Sequence, residues 1–216
     1  MKKFTIQAWL CPALIGILAS CAGLSPKAAH EQIPIAESAV QFPERPPMPD
    51  VPEFIMGKGL AAAKNLSDFL LCVNQEAETG FVEDLAIIYA EEAAAEGVNH
   101  DVAFAQMCLE TGYLRFGNLV SPDQNNFCGL GATGPGQSGP SFQNPRIGVR
   151  AHIQHLKAYA TDAPLNQELV DPRYRYVRLG SSPAIAGLAG TWAADKNYAE
   201  KITNILNNLY SQSFGD

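Results

Sequence analysis

The sequence predicts a mainly α-helical domain that carries one long irregular loop, with at most a small β-hairpin inside that loop. Three observations carry the expectation. From about Met56 onward, apolar residues recur at spacings of three and four, the period of a helix with one buried face. Start and stop signals cut this pattern into helix-length pieces: Gly97, Gly112 and the Asn144-Pro145 pair. Strand-like alternation is weak throughout, and the stretch 113–144, rich in Gly, Asn and Ser, follows neither period.

Composition bounds the rest. The 216 residues are 47% hydrophobic and 17% charged, a globular balance far from that of disordered chains. The length suits one domain, or one domain with a tail. A formal charge of −7 argues against a nucleic-acid partner, which requires a basic footprint. No transmembrane run follows the N-terminus.

The first element in order is an address, residues 1–20. Lys2 and Lys3 precede a mostly apolar, uncharged stretch from Phe4 to Ala19, as in a secretory signal. The stretch ends in Leu18-Ala19-Ser20-Cys21, which resembles the lipobox of bacterial lipoproteins. That resemblance implies that Cys21 is lipidated and becomes the first residue of the mature chain, with membrane attachment through its acyl chains. An uncut helical anchor is the alternative. Either way the product lies outside the cytoplasm on a membrane surface. Ala22, where an Asp would resemble an inner-membrane retention signal, favours the outer membrane facing the periplasm. Loss of Lys2 and Lys3 makes the mature chain more acidic still.

Residues 21–55 read as a tether. Seven of the fifteen prolines fall here, at 26, 34, 43, 46, 47, 49 and 52. Proline lacks the amide donor that helices and central strands need, so the segment is extended and semi-rigid. At about 3 Å per residue it reaches on the order of 100 Å. A proline-rich ligand for a partner is the other reading.

The domain proper, 56–216, then begins. A first helix is expected over Leu60–Asn74, with Leu66, Phe69, Leu70 and Val73 on one face. A second is expected over Val82–Glu96, stopped by Gly97, and a third over Asp101–Thr111, stopped by Gly112. Asn144 as cap and Pro145 at the first helical position open a fourth that runs to about Ala160. Ser182-Pro183 repeats that signal for an element closed by Gly190, and a last helix covers about Lys196–Tyr210. A loop of some thirty residues in a compact helical domain points to function. Of the cysteines, Cys72, Cys108 and Cys128 remain in the domain. They read as three small buried thiols, with a Cys108–Cys128 bridge as the alternative.

The third helix holds the first chemical signal. Between Val102 and Leu109 every residue is apolar or small except Gln106, so the helix is buried nearly all round. Glu110 closes it, four residues after Gln106. A carboxyl group at the end of such a helix loses solvation, which raises its pKa and suits it to protonate a leaving oxygen. An ordinary exposed Glu is the plain alternative. Downstream, Asp171-Pro172-Arg173-Tyr174-Arg175-Tyr176-Val177-Arg178 interleaves arginines with tyrosines. Tyr174 and Tyr176 could stack on sugar rings and the arginines pair with carboxylates, or the run is a solvated connector. His152 and His155 share a helix face, but no further ligand stands at metal spacing, so packing is expected and no metal or other cofactor. Glycines 129, 131, 134, 136 and 139 lack the strand and Lys-Ser/Thr of a nucleotide loop and read as a mobile loop.

Three motifs in order carry a resemblance. Ala105-Gln106-Met107-Cys108-Leu109-Glu110-Thr111-Gly112 is followed by Asn125-Asn126-Phe127-Cys128-Gly129-Leu130, and then by Trp192-Ala193-Ala194-Asp195-Lys196-Asn197-Tyr198 running on to Ile202. Over about 56–210 the chain resembles glycoside hydrolase family 73, the glucosaminidase domain of bacterial autolysins. The resemblance implies a lysozyme-like helical fold with the acid at the mouth of a sugar cleft, and peptidoglycan glycan strands as substrate. It assigns Glu110 the general-acid role and Tyr198 a supporting place beneath the reacting sugar, against plain packing on the last helix. Gln106, Asn125, Asn126 and Phe127 become substrate-site candidates, although Asn125 and Asn126 equally suit turn chemistry.

No Asp or Glu occurs between Gln124 and Thr161, so any second carboxylate must be Asp123, Asp162, Glu168 or Asp171, each read as a solvated loop charge. N-acetylglucosamine offers a way round this, because its acetamido carbonyl can attack its own anomeric carbon. The expected enzyme is therefore an endo-β-N-acetylglucosaminidase with substrate-assisted chemistry. A lytic transglycosylase and a non-catalytic glycan-binding envelope lipoprotein are the alternatives. The transglycosylase pairs Glu-Ser and Gly-Leu-Met-Gln are replaced here by Glu110-Thr111 and Gly129-Leu130-Gly131-Ala132.

Overall fold

The computed structural model describes residues 47–117, 119–134 and 136–215. The leader, Cys21 and most of the proline-rich segment lie outside them. Among the described residues there are five α-helices: α1 (Ala63–Val73), α2 (Thr79–Glu96), α3 (His100–Thr111), α4 (Pro145–Ala160) and α5 (Tyr198–Phe214). One two-stranded antiparallel sheet, β1 (Ala132–Gly134) and β2 (Gln137–Ser138), lies within the long loop between α3 and α4. The protein is thus mainly helical, a lysozyme-like domain with a small hairpin. No described helix is long and apolar enough to cross a membrane.

The helix boundaries have local causes. Asn99 Oδ1 accepts the Asp101 amide at 2.9 Å to start α3, and Asn144 Oδ1 accepts the Ile147 amide at 3.0 Å to start α4. Gly97 (φ 74°) and Gly112 (φ 58°) end α2 and α3 in the left-handed conformation. Glu78, whose side chain accepts from the Gly80 and Phe81 amides, opens α2 one turn earlier than its apolar pattern suggests. Only a 3₁₀ turn, Ile185–Leu188, forms where Ser182-Pro183 announced an element. There Ser182 Oγ and Thr191 Oγ1 both donate to the Gly187 carbonyl, at 2.8 and 2.6 Å, taking an acceptor a helix would need.

The core explains the placement of α3. Every residue from Val102 to Cys108 is buried, and α3 packs on α1, α2, α4 and α5. Phe104 meets Tyr89 of α2 edge-on at 5.6 Å, among Leu66, Leu85, Ile153 and Leu206. Burying one such side chain contributes about 2–3 kcal/mol. The chain reaches this core ahead of residue 56. Ile55 is fully buried, its amide donates to the Pro183 carbonyl at 3.0 Å, and its carbonyl accepts the Asn99 amide at 2.9 Å. All three domain cysteines are free thiols. Cys108 and Cys128 are buried, whereas Cys72 is exposed, against the expectation of three buried thiols. It sits on α1 one position before Val73, itself 39% exposed, where the helix turns its outer side to solvent.

Candidate active site

Glu110 stands in the last turn of α3, half-buried beside the long loop. Its Oε1 accepts two hydrogen bonds, from Trp192 Nε1 at 3.0 Å and from the Tyr198 hydroxyl. Its Oε2 faces Gly129 and lies 3.8 Å from where a Cβ at that glycine would stand. Gly129 has φ 64°, so glycine there serves both the turn and the close approach. Burial raises the Glu110 pKa, and the donors Tyr198 and Trp192 offset only part of the rise.

Two clefts share Gly129 and Ala132 and flank this carboxyl group. One is lined by Glu110, Thr111, Phe116, Leu119, Val120 and Asn126. The other is lined by Cys128, Leu130, Thr133, His155, Tyr159, Arg173, Tyr176 and Trp192. Adjoining at Gly129 and Ala132, the two clefts make up the groove, with Glu110 lining the first and the rings of Tyr159, Tyr176 and Trp192 lining the second. The backbone leaving α3 is unusual: Tyr113, Leu114 and Phe116 all have φ between 54° and 62°. Asn74 Nδ2 donates to the Tyr113 carbonyl at 2.8 Å, and the Leu114 amide donates to Thr111 Oγ1 at 2.9 Å. These bonds offset a conformation that costs non-glycine residues on the order of 1 kcal/mol or more each, and they bring Phe116 to the groove.

The candidates singled out by sequence separate into distinct places. Tyr198, on the first turn of α5, is 5% exposed and meets Glu110 directly. Gln106 is fully buried behind it. Its Nε2 donates to Tyr198 Oη at 2.9 Å and its Oε1 is 2.9 Å from His152 Nε2, so it cannot touch a sugar itself. Asn126 is 1% exposed and braces the loop: Nδ2 donates to the Leu130 and Pro140 carbonyls, and Oδ1 accepts the Leu130 amide at 2.9 Å. Asn125, in the left-handed region at φ 51°, donates to the Phe142 carbonyl at 3.0 Å. Phe127 is buried against Phe81. The Asn-Asn-Phe motif therefore holds the loop in shape. Tyr176 is 61% exposed on the groove, between the guanidinium groups of Arg173 and Arg175 at 4.6 and 4.8 Å from its ring centre. Tyr174 is half-buried and lines neither cleft.

Three groups were missed. Trp192 was legible as part of a motif but not as a ligand of Glu110. Tyr89 carried no polar signal, being one apolar-period residue among several. Asp171, read as a solvated charge, is 2% exposed and pairs with His155 Nδ1 at 2.7 Å; it also accepts the Arg173 amide. Asp123, Asp162 and Glu168 are exposed, as expected. No other described carboxylate hydrogen-bonds to Glu110, Trp192 or Tyr198. The thiols of Cys108 and Cys128 are pushed up by burial, and Cys128 further by Glu110 and Asp171, so neither is a thiolate nucleophile. No group of three or more His, Cys, Asp or Glu able to hold a metal occurs among the described residues.

Residues 86–211 match the family described as "Glucosaminidase: Mannosyl-glycoprotein endo-beta-N-acetylglucosaminidase". A protein of Borreliella burgdorferi described as "Uncharacterized protein" is 40% identical over 181 residues, 84% of this chain and 87% of the relative. No solved structure matches the chain. The match covers more than half the chain and includes Glu110, Tyr198 and the loop between them. The chain belongs to the glucosaminidase family, glycoside hydrolase family 73, and is a glycosidase of peptidoglycan.

Proposed function

We propose that the protein is an endo-β-N-acetylglucosaminidase in which Glu110 is the general acid and the substrate supplies the nucleophile. The observation that carries this reading is the setting of Glu110, a half-buried carboxyl group whose donors, Tyr198 and Trp192, are both neutral. With its pKa raised, the group holds a proton nearer neutral pH than an ordinary glutamic acid does. With Oε1 engaged twice, the proton resides on Oε2, at the groove.

The sugar on one side of the cleaved bond is N-acetylglucosamine. Its acetamido oxygen attacks C1 as the C1–O bond breaks, and the leaving oxygen takes the proton from Oε2. The resulting oxazolinium is opened by water, which returns a proton to Glu110, so configuration is retained. No second carboxylate is needed, and among the described residues none hydrogen-bonds to Glu110 or to its donors Trp192 and Tyr198. The reading extends to the lipid on Cys21 and to placement in the cell envelope, with the outer membrane facing the periplasm as the specific site.

The test is a digest of purified sacculi by wild type and Glu110→Gln, with muropeptides identified by mass spectrometry. Reducing N-acetylglucosamine ends are expected from wild type and no release from the variant. Anhydro-muramic ends would show a transglycosylase, and undiminished release by Glu110→Gln would remove the acid assignment.

A further inference from the structure

Five side chains from four helices form one unbroken hydrogen-bond chain behind the groove. Tyr89 of α2 places its hydroxyl 2.9 Å from Nδ1 of His152 on α4. His152 Nε2 lies 2.9 Å from Gln106 Oε1 on α3. Gln106 Nε2 donates to Tyr198 Oη on α5 at 2.9 Å, and Tyr198 donates to Glu110 Oε1. Tyr89, His152 and Gln106 are fully buried.

Such a chain has two possible directions, and its buried end selects one. Among the described residues the Tyr89 hydroxyl meets no partner except His152. Its proton therefore goes to Nδ1, because an unused buried donor costs about 1–3 kcal/mol. A neutral ring that accepts at Nδ1 carries its proton on Nε2 and donates to Gln106 Oε1. The Gln106 amide then presents its NH₂ to Tyr198, and the single Tyr198 proton must point to Glu110. Burial favours the neutral ring, holding the His152 pKa down to about 3.

We propose that Tyr89 and His152 are positioning residues for the reaction: through Gln106 and Tyr198 they keep a donor on Glu110 Oε1 and confine the acid's proton to Oε2, the oxygen on the groove. The proposal rests on Glu110 as general acid. It adds that the useful proton is placed by a hydroxyl on another helix with no access to substrate.

Tyr89→Phe in the full chain is the direct test, since it removes one hydroxyl and keeps the ring. The forward and reversed chains then each leave one His152 nitrogen without a partner, so the bias between them is lost. In the reversed chain Glu110 carries its proton on Oε1, donates it to Tyr198 and offers none to the leaving oxygen. The reversed chain also favours protonated Glu110. With the two chains near equal in population, the expected result is a fall in kcat of about twofold at unchanged KM, and an alkaline limb of the rate profile moved to higher pH. The titratable groups facing this chain are Cys108 on α3, Cys128 on the loop and His155 on α4, all unchanged in the variant.

Phe104→Leu is the control, because Phe104 packs on the same Tyr89 ring but lies outside the chain. Its limb should coincide with wild type. A wild-type limb and kcat in Tyr89→Phe, or an equal shift in Phe104→Leu, would overturn the proposal. Nitrogen-15 NMR of the histidine rings reads the geometry without any activity. His152 should be the neutral Nε2–H tautomer in wild type, and an Nδ1–H tautomer there would overturn the chain's direction. A failure of the acid assignment shows differently, as sustained turnover by Glu110→Gln.

Discussion

Two regions of the molecule that take carboxylates out of solvent treat them in opposite ways. At the groove, Glu110 receives only neutral donors. On the seam between α2 and α4, Glu92 accepts from Arg146 at 2.9 Å, Arg150 at 2.8 Å and Gln167 at 3.0 Å, and Glu96 accepts from Lys157 at 2.8 Å and from the Asn166 and Gln167 amides at 2.9 Å. Burial pushes both Glu110 and Glu92 upward. At Glu110 the rise survives, whereas at Glu92 the two guanidinium groups and Gln167 outweigh it and the pKa falls. Between Glu110 and Glu92 it is the charge of the donors that sets the direction of the shift and separates the proton donor from the structural clamp.

The largest effect that would break this contrast is loss of the proton itself. Glu110→Gln should cut turnover of sacculi by about a thousandfold, within the range general acids contribute, while leaving the fold intact. On the seam the order of consequences reverses. Lys157→Met strips the cation from a pair whose side chains are both under 5% exposed, leaving Glu96 uncompensated. Stability in urea should drop by about 3–5 kcal/mol, with the cleavage products of the remaining folded protein unchanged. Equal stability of Lys157→Met and wild type would mean that the seam is no clamp.

The contrast also sets opposite pH dependences. Glu92, with a depressed pKa, contributes stability that is present above its unfolded pKa of about 4 and is lost as pH falls through the folded value. Glu110, with a raised pKa, contributes stability below its unfolded value that is lost as pH rises through the folded one. Glu92→Gln should therefore flatten the acid arm of a plot of melting temperature against pH. Glu110→Gln should flatten the neutral arm and melt above wild type near pH 7. Parallel profiles for wild type and both variants would contradict the sign at each site.

What the chain discloses in advance follows the same divide between local and distant partners. The start of α4 at Asn144-Pro145 and the ends of α2 and α3 at Gly97 and Gly112 are set by residues within one turn, and each is legible. The seam is not. Nothing local to Glu92 and Glu96 names their partners, because α4 brings Arg146, Arg150 and Lys157 from more than fifty residues away. Asp171 misleads for the same reason, since only the fold sets it against His155. The site is half legible. The apolar surroundings of Gln106 and Glu110 betray a buried acid, but Trp192 and Tyr198 lie more than eighty residues on, and the link from Gln106 through His152 to Tyr89 exists only in three dimensions.

The finest test removes one neutral donor from each kind of site. Trp192→Phe deletes the indole N–H on Glu110 Oε1 while keeping an aromatic ring against His155 and Tyr159. The carboxylate loses one of two donors and has no cation to fall back on, so the Glu110 pKa rises further. The alkaline limb of the rate profile should move up by about one pH unit or somewhat more, since one hydrogen bond to a charged group is worth about 1.5 kcal/mol or more. Gln167→Ala makes the matching deletion at Glu92, where Arg146 and Arg150 remain and the backbone bond from Gln167 to Glu96 is untouched. There the acid arm of the stability profile should stay in place. A shift at Glu92 as large as the one at Glu110 would mean that neutral donors count equally at both sites, and that depth of burial, not donor charge, distinguishes the acid from the clamp.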